Sequence, residues 1–146
     1  MNIGTLREQL TIDEGKVNEV YLDHLGYATV GIGHLILESD AEYESAVGTP
    51  ISEERCIELF ASDVESVIKD CRILHQAWDG YPEEAKQVIA NMMFNMGRTR
   101  LTQFKKHNRA LESGDWKKAA IEGRDSRWYD QVSNRAERLM TRLENI

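Results

Sequence analysis

Two carboxylates early in the chain, Glu14 and Asp23, are of the type and in the kind of setting that glycoside hydrolysis requires. Cleaving a glycosidic bond takes one protonated carboxyl to protonate the leaving oxygen. A second, ionised carboxylate on the other side of the sugar activates water or attacks carbon. Glu14 falls at the end of the first predicted helix, where the negative pole of the helix dipole favours a protonated carboxyl. Asp23 lies just before the turn expected at Gly26 and is expected to stay ionised. Residue type alone decides little, because the chain has 25 acidic residues and most acidic side chains simply face solvent. The pair gains meaning from the elements that hold it.

Thr5 followed by Glu8 matches a capping box, and Leu6 and Leu10 stand four apart, which predicts a helix over Leu6–Glu14 that stops at Gly15. From Val20 to Leu37 the pattern changes to strand-like alternation. Gly26 supplies a turn, and Tyr27, Thr29, Gly31 and Gly33 share one face. The two glycines either let a saccharide approach the backbone or mark a bulge or bend. Gly31-Ile32-Gly33 is no dinucleotide fingerprint, because no third glycine and no helix follow. Ser52 opens a long helix with Glu53 and Glu54 in its first turn, and Cys56, Leu59, Phe60, Val64, Val67 and Cys71 form its apolar stripe. Pro82 starts another, with Val88, Ile89, Met92, Met93 and Met96 as core and Gly97 as its end. Further helices are expected over Thr102–Glu112, Asp115–Glu122 and Ser133–Leu143, separated by stretches containing Gly114, Gly123 and Ser126. Strands cluster early and helices fill the rest, so the fold class is α+β, with two lobes and a cleft where they meet.

The stretch Glu14-Gly15-x5-Tyr21-Leu22-Asp23-x2-Gly26-Tyr27-Ala28-Thr29-Val30-Gly31-Ile32-Gly33-His34 resembles, without a gap, the active-site segment of the lysozymes of T-even bacteriophages, glycoside hydrolase family 24. A second block, Asn91-Met92-Met93-Phe94-Asn95-Met96-Gly97 through Trp116, Ser126-Arg127-Trp128-Tyr129 and Asn134-Arg135-Ala136, is similar to the helical lobe of the same family. The resemblance implies a mainly helical lysozyme-like fold over residues 1–146. Its α+β lobe would span about 14–52 with a small antiparallel sheet. An interlobe helix would cover about 53–71 and a helical lobe about 72–146, with the helix at 6–14 near the cleft. It further implies Glu14 as the acid, Asp23 as the residue that positions and deprotonates water, Thr29 as a hydroxyl holding that water, and inversion at the anomeric carbon. Substrate contacts are implied at Gly33, Leu35, Phe94, Asn95, Arg127 and Trp128, although Phe94 and Trp128 read equally well as core. His34 and Asp63 are expected to tie sheet to helix, and Arg135 to meet Glu14 across the lobes; an exposed helix-face cation is the plainer reading of Arg135. The sequence departs from the family at Leu25, Glu122 and Asn95, and it ends soon after Leu143 without the aromatic-containing tail of those relatives.

Composition narrows the alternatives. With 41% hydrophobic and 29% charged residues and two prolines, the chain suits one compact domain. The first ten residues lack the apolar core of a secretory signal, and no apolar run is long enough to span a membrane. Synthesis in the host cytoplasm is therefore expected, with access to the wall only after permeabilisation by a holin. Cys56 and Cys71 read as free, buried thiols, with no zinc-ligand spacing. The net charge of −7 divides into −11 over residues 1–79 and +4 over residues 80–146, too little concentrated basic charge for nucleic acid. The expectation is a monomeric muramidase that needs neither metal nor organic cofactor and takes peptidoglycan as substrate. A lytic transglycosylase and a non-catalytic wall-binding module are the rivals.

Overall fold

The computed structural model describes all 146 residues, Met1–Ile146. Eight helices and one small sheet follow each other in the order α1 (Ile3–Glu14), β1 (Val17–Leu22), β2 (Ala28–Gly31), β3 (His34–Leu35), α2 (Glu53–Leu74), α3 (Glu83–Met96), α4 (Arg98–Thr102), α5 (Lys105–Glu112), α6 (Trp116–Arg124), α7 (Arg127–Gln131) and α8 (Ser133–Glu144). A short 3-10 turn, Trp78–Gly80, precedes α3. This is the α+β class expected, strands early and helices after. The chain forms two compact units, one of Ile3–Glu65 and one of Ser66–Ile146 together with Met1–Asn2, and the boundary falls within α2.

In the first unit, α1 begins one turn earlier than its sequence signal, at Ile3, so Thr5 lies inside the helix and is not its cap. Thr5 and Glu8 are three apart, which is also the spacing of neighbours on a continuous helix face. The helix stops where expected. Gly15 has φ +79° and its N–H bonds back to the Thr11 carbonyl at 3.0 Å, a left-handed C-terminal turn that glycine adopts without strain. The sheet is antiparallel in the order β1-β2-β3. Tyr21 faces Thr29 across β1 and β2, and Thr29 faces Leu35 across β2 and β3. The register shifts between Val17 and Tyr21, so the irregularity sits in β1. Gly31 ends β2 and Gly33 lies in the tight turn to β3 with φ +60°. The shared face read from alternation therefore stops short of Gly33, because the chain reverses there. Val20, Val30 and Leu59 form one buried cluster of this unit, with Ala28, Ile36 and Ile51 packed on it.

Ser52 caps α2 as expected, its Oγ accepting the Arg55 N–H at 3.0 Å. All six residues of the predicted stripe, Cys56 to Cys71, are buried, and both cysteines are free. Pro82 precedes α3, and Gly97 ends it with its N–H on the Met93 carbonyl at 2.8 Å. Val88, Ile89, Met92 and Met93 are buried, while Met96 is half-buried.

Further along the second unit, three expectations are corrected. The helix expected over Thr102–Glu112 is two helices, α4 and α5, broken at Gln103 and Phe104, where the Asn108 amide donates to the Leu101 carbonyl at 2.9 Å. Gly123 lies within α6 and is not a break: a Cβ there would fall 2.3 Å from Met140 Sδ, so glycine serves the close approach of α6 to α8. The short helix α7 was not anticipated as an element, although Ser126 caps it by accepting the Tyr129 N–H at 3.2 Å.

Candidate active site

Glu14 ends α1 half-buried, and the turn between β2 and β3 passes directly beneath its side chain. A Cβ built on Gly33 would lie 3.1 Å from Glu14 Cβ and 3.1 Å from its Oε2. A side chain there would crowd the carboxyl and oblige it to shift by a few tenths of an ångström, and the φ of +60° is a second reason for glycine.

Asp23 follows β1. Its Oδ1 accepts the Leu25 and Tyr27 backbone N–H groups, each at 2.9 Å, and its own N–H bonds to the Tyr27 carbonyl at 2.9 Å. The loop through Gly26 thus fixes one carboxylate oxygen and leaves Oδ2 to other partners. Thr29, on β2, is 4% exposed. Its hydroxyl donates to the Tyr27 carbonyl at 2.9 Å. With its only proton committed, Thr29 Oγ1 offers a neighbour an acceptor and no donor.

The residue that connects these groups was passed over in the sequence except as part of a motif. Tyr21 is the cross-strand partner of Thr29, so the two side chains stand on the same face, and it lies two residues before Asp23 on the same strand. Its phenol is raised above the ordinary tyrosine value, first by partial burial, then by the charge of Glu14 and then by that of Asp23. Tyr21 stands beside Thr29 with Asp23 two residues on, and the turn that follows β2 carries Gly33 against the Glu14 carboxyl. The signal available beforehand was the Tyr21-x-Asp23 spacing, which puts both on one strand face.

His34 is 6% exposed on β3. Its Nδ1 lies 2.7 Å from Asp63 and its Nε2 2.7 Å from Asp40, a second carboxylate that the sequence did not point out. Burial opposes its charge, but the hydrogen bonds and charges of Asp63 and Asp40 prevail and push it up to about 9. Both ring nitrogens then donate, and the cation ties β3 to α2 and to the loop after the sheet. Leu35 is 48% exposed beside Thr29.

The remaining candidates lie in the second unit. Trp128 is 1% exposed and its Nε1 donates to Asn95 Oδ1 at 2.8 Å, so ring and amide brace one another inside the helices. Phe94 and Asn95 are half-buried near the end of α3. Arg135 donates from Nε to Asn91 Oδ1 at 2.9 Å. Arg127 borders a groove of about 660 Å³ whose lining mixes Arg100 and Lys105 with Glu122 and Asp125 and includes Phe104 and Trp128.

Residues 12–145 match the family model of phage lysozyme. The chain is 29% identical to "Probable T4-type lysozyme 2" of Dictyostelium discoideum, over 97% of this chain and 95% of that protein. It is 31% identical to the pre-baseplate central spike protein of Enterobacteria phage T4, over 92% of this chain but 27% of that one. It is also 31% identical to a peptidoglycan hydrolase of Pseudomonas phage phiKMV, over 94% of this chain and 15% of that one. The same module thus spans nearly all of some relatives and about a quarter or less of others. The chain belongs to the phage lysozyme family and, by that membership, to the glycosidases.

Proposed function

We propose that the chain hydrolyses the β-1,4 bond between N-acetylmuramic acid and N-acetylglucosamine in bacterial peptidoglycan, with Glu14 as general acid, Asp23 as general base and Thr29 as the hydroxyl that holds the attacking water. The observation that carries this reading is geometric: the turn at Gly33, just after β2, lies against the Glu14 carboxyl, while Thr29 on β2 pairs with Tyr21, two residues before Asp23. Two carboxylates around one patch are what acid and base on a single sugar require.

Glu14 delivers its proton to the glycosidic oxygen as the bond to the anomeric carbon lengthens. Asp23 Oδ2, the oxygen not taken by the loop amides, accepts a proton from the water. That water's second hydrogen is directed to Thr29 Oγ1, whose own proton is held by the Tyr27 carbonyl. The lone pair of the water then points at the anomeric carbon from the face opposite the leaving group, and the product inverts. Release of phage from the host after a holin opens the membrane is the role that fits this activity. No helix of the chain is long and apolar enough to cross a membrane itself.

Digesting purified peptidoglycan while recording proton NMR tests the reading. An α anomer appearing before mutarotation is the expected product; a β anomer first would break the inverting assignment, and anhydro ends would make the enzyme a transglycosylase. Glu14→Gln should lower the rate at least ~10²–10⁴-fold, and retained wall lysis by that variant would remove Glu14 as the acid.

A further inference from the structure

We propose that Tyr21 donates a hydrogen bond from its hydroxyl to the attacking water and so completes that water's coordination; this rests on the muramidase reading above. A water poised for attack has two hydrogens and two lone pairs to place. One hydrogen goes to Asp23 Oδ2 and one to Thr29 Oγ1, which can only accept because its proton is on the Tyr27 carbonyl at 2.9 Å. One lone pair faces the anomeric carbon. The other needs a donor, and neither an ionised carboxylate nor Thr29 can be one.

Tyr21 supplies it by position and by protonation. It is the direct cross-strand partner of Thr29, and directly opposed side chains have Cβ atoms about 4.5–5.5 Å apart on the same face. It stands half-buried two residues before Asp23, and no hydrogen bond within the fold uses its hydroxyl. A phenol is already protonated at neutral pH, and its surroundings, burial first, push Tyr21 further up, so it is a donor throughout the working pH range. As Asp23 draws a proton from the water, negative charge grows on the water oxygen and the phenol's bond strengthens with it, a contribution larger in the transition state than before it. Tyr21 keeps its own proton throughout: the water's proton goes to Asp23 and the acid's proton leaves on the departing sugar.

The test is a double-mutant cycle on the full chain with Tyr21→Phe, Thr29→Ala and the combination, assayed on the same peptidoglycan beside wild type and Glu14→Gln. Tyr21→Phe removes one oxygen that the fold does not use, so its melting temperature should match wild type. Its kcat should fall about 10-fold, the loss of one hydrogen bond to a developing charge, with KM within about twofold. Because both groups hold one water, the double variant should lose less than the product of the two single losses, by about threefold or more. A kcat for Tyr21→Phe within twofold of wild type, or losses that simply multiply, would overturn the inference while leaving an active wild type and a dead Glu14→Gln untouched. An inactive wild type, or an active Glu14→Gln, would remove the muramidase reading and this inference with it.

Discussion

Mild acid should loosen the helical unit before it affects the sheet unit, and His75 is the reason. This imidazole, just after α2, is 0% exposed. Its Nδ1 lies 3.4 Å from the Tyr81 hydroxyl and 3.9 Å from a Glu112 carboxylate oxygen, and its Nε2 has no partner. A second imidazole, His107, is also buried; its Nδ1 meets the Ala119 carbonyl at 2.7 Å, Glu122 is the carboxylate that acts on it, and its Nε2 too is unpartnered. Burial, and then the neighbouring His107, push His75 down to about 4 in spite of Glu112. A histidine held neutral in the fold but titrating near 6.5 when unfolded leaves the unfolded state with more protons below that pH. Its contribution is therefore intact above pH 6.5 and drains away as pH falls toward 4. The linkage relation gives a loss of about 2 kcal/mol between pH 7 and pH 5 and about 3 kcal/mol by pH 4. His107 is lowered in the same direction by its burial and adds to the loss. The window from pH 6.5 to 5 isolates the effect, because carboxylates such as Glu42 and Glu84, lowered by Arg55 and Arg142, lose their contribution only below the ordinary carboxylate range. Trp78, Trp116 and Trp128 all lie in the helical unit, so urea unfolding followed by tryptophan fluorescence reads that unit directly. His75→Phe should flatten the slope across this window. A wild-type His75 ring that titrates near 6.5 or above by NMR would refute the reasoning outright.

Gly33→Ala should cost about 1–2 kcal/mol for an L residue at positive φ, and should lower kcat by more than tenfold, since its methyl group would crowd the Glu14 carboxyl and oblige it to shift; a melt and an activity unchanged from wild type would contradict the packing described. His34 responds to pH in the opposite sense to His75: its stabilising charge is complete below pH 6.5 and is lost as pH rises through about 9. NMR titration of His34 in wild type and Asp63→Asn checks this, and the variant should titrate closer to 6.5, whereas an identical titration would show that Asp63 does not hold the charge.

Local signals sufficed wherever one residue decides a boundary. Ser52, Pro82, Gly15 and Gly97 each set a helix end that a single backbone conformation or cap can impose, and the buried stripe of α2 follows from spacing alone. What sequence could not carry were features decided by side-chain contacts that no spacing or periodicity marks. The break between α4 and α5 contains neither glycine nor proline; a side chain from α5, Asn108, satisfies the Leu101 carbonyl. Gly123 looked like punctuation but sits mid-helix because Met140 comes up against it from α8. Asp40 joins His34 from the loop after the sheet, where no periodicity marks it.

The candidate site divides along the same line. The proposed acid and base are legible as residue types at the end of a helix and before a turn, because their chemistry resides in one carboxyl each. Thr29 is reached only through the family resemblance and Tyr21 only as part of a motif, because the roles proposed for them depend on where hydrogens point. A threonine hydroxyl can donate or accept, and only the Tyr27 carbonyl at 2.9 Å decides that here it accepts. In the proposed mechanism the attacking water then lacks a donor, and the register pairing Tyr21 with Thr29 puts a phenol on that face. A one-residue slip of β1 would turn Tyr21 to the other face. The loop that Asp23 closes onto Leu25 and Tyr27 fixes the register of this hairpin and keeps phenol and hydroxyl side by side, so the turn is as much a part of the proposed chemistry as the residues it aligns.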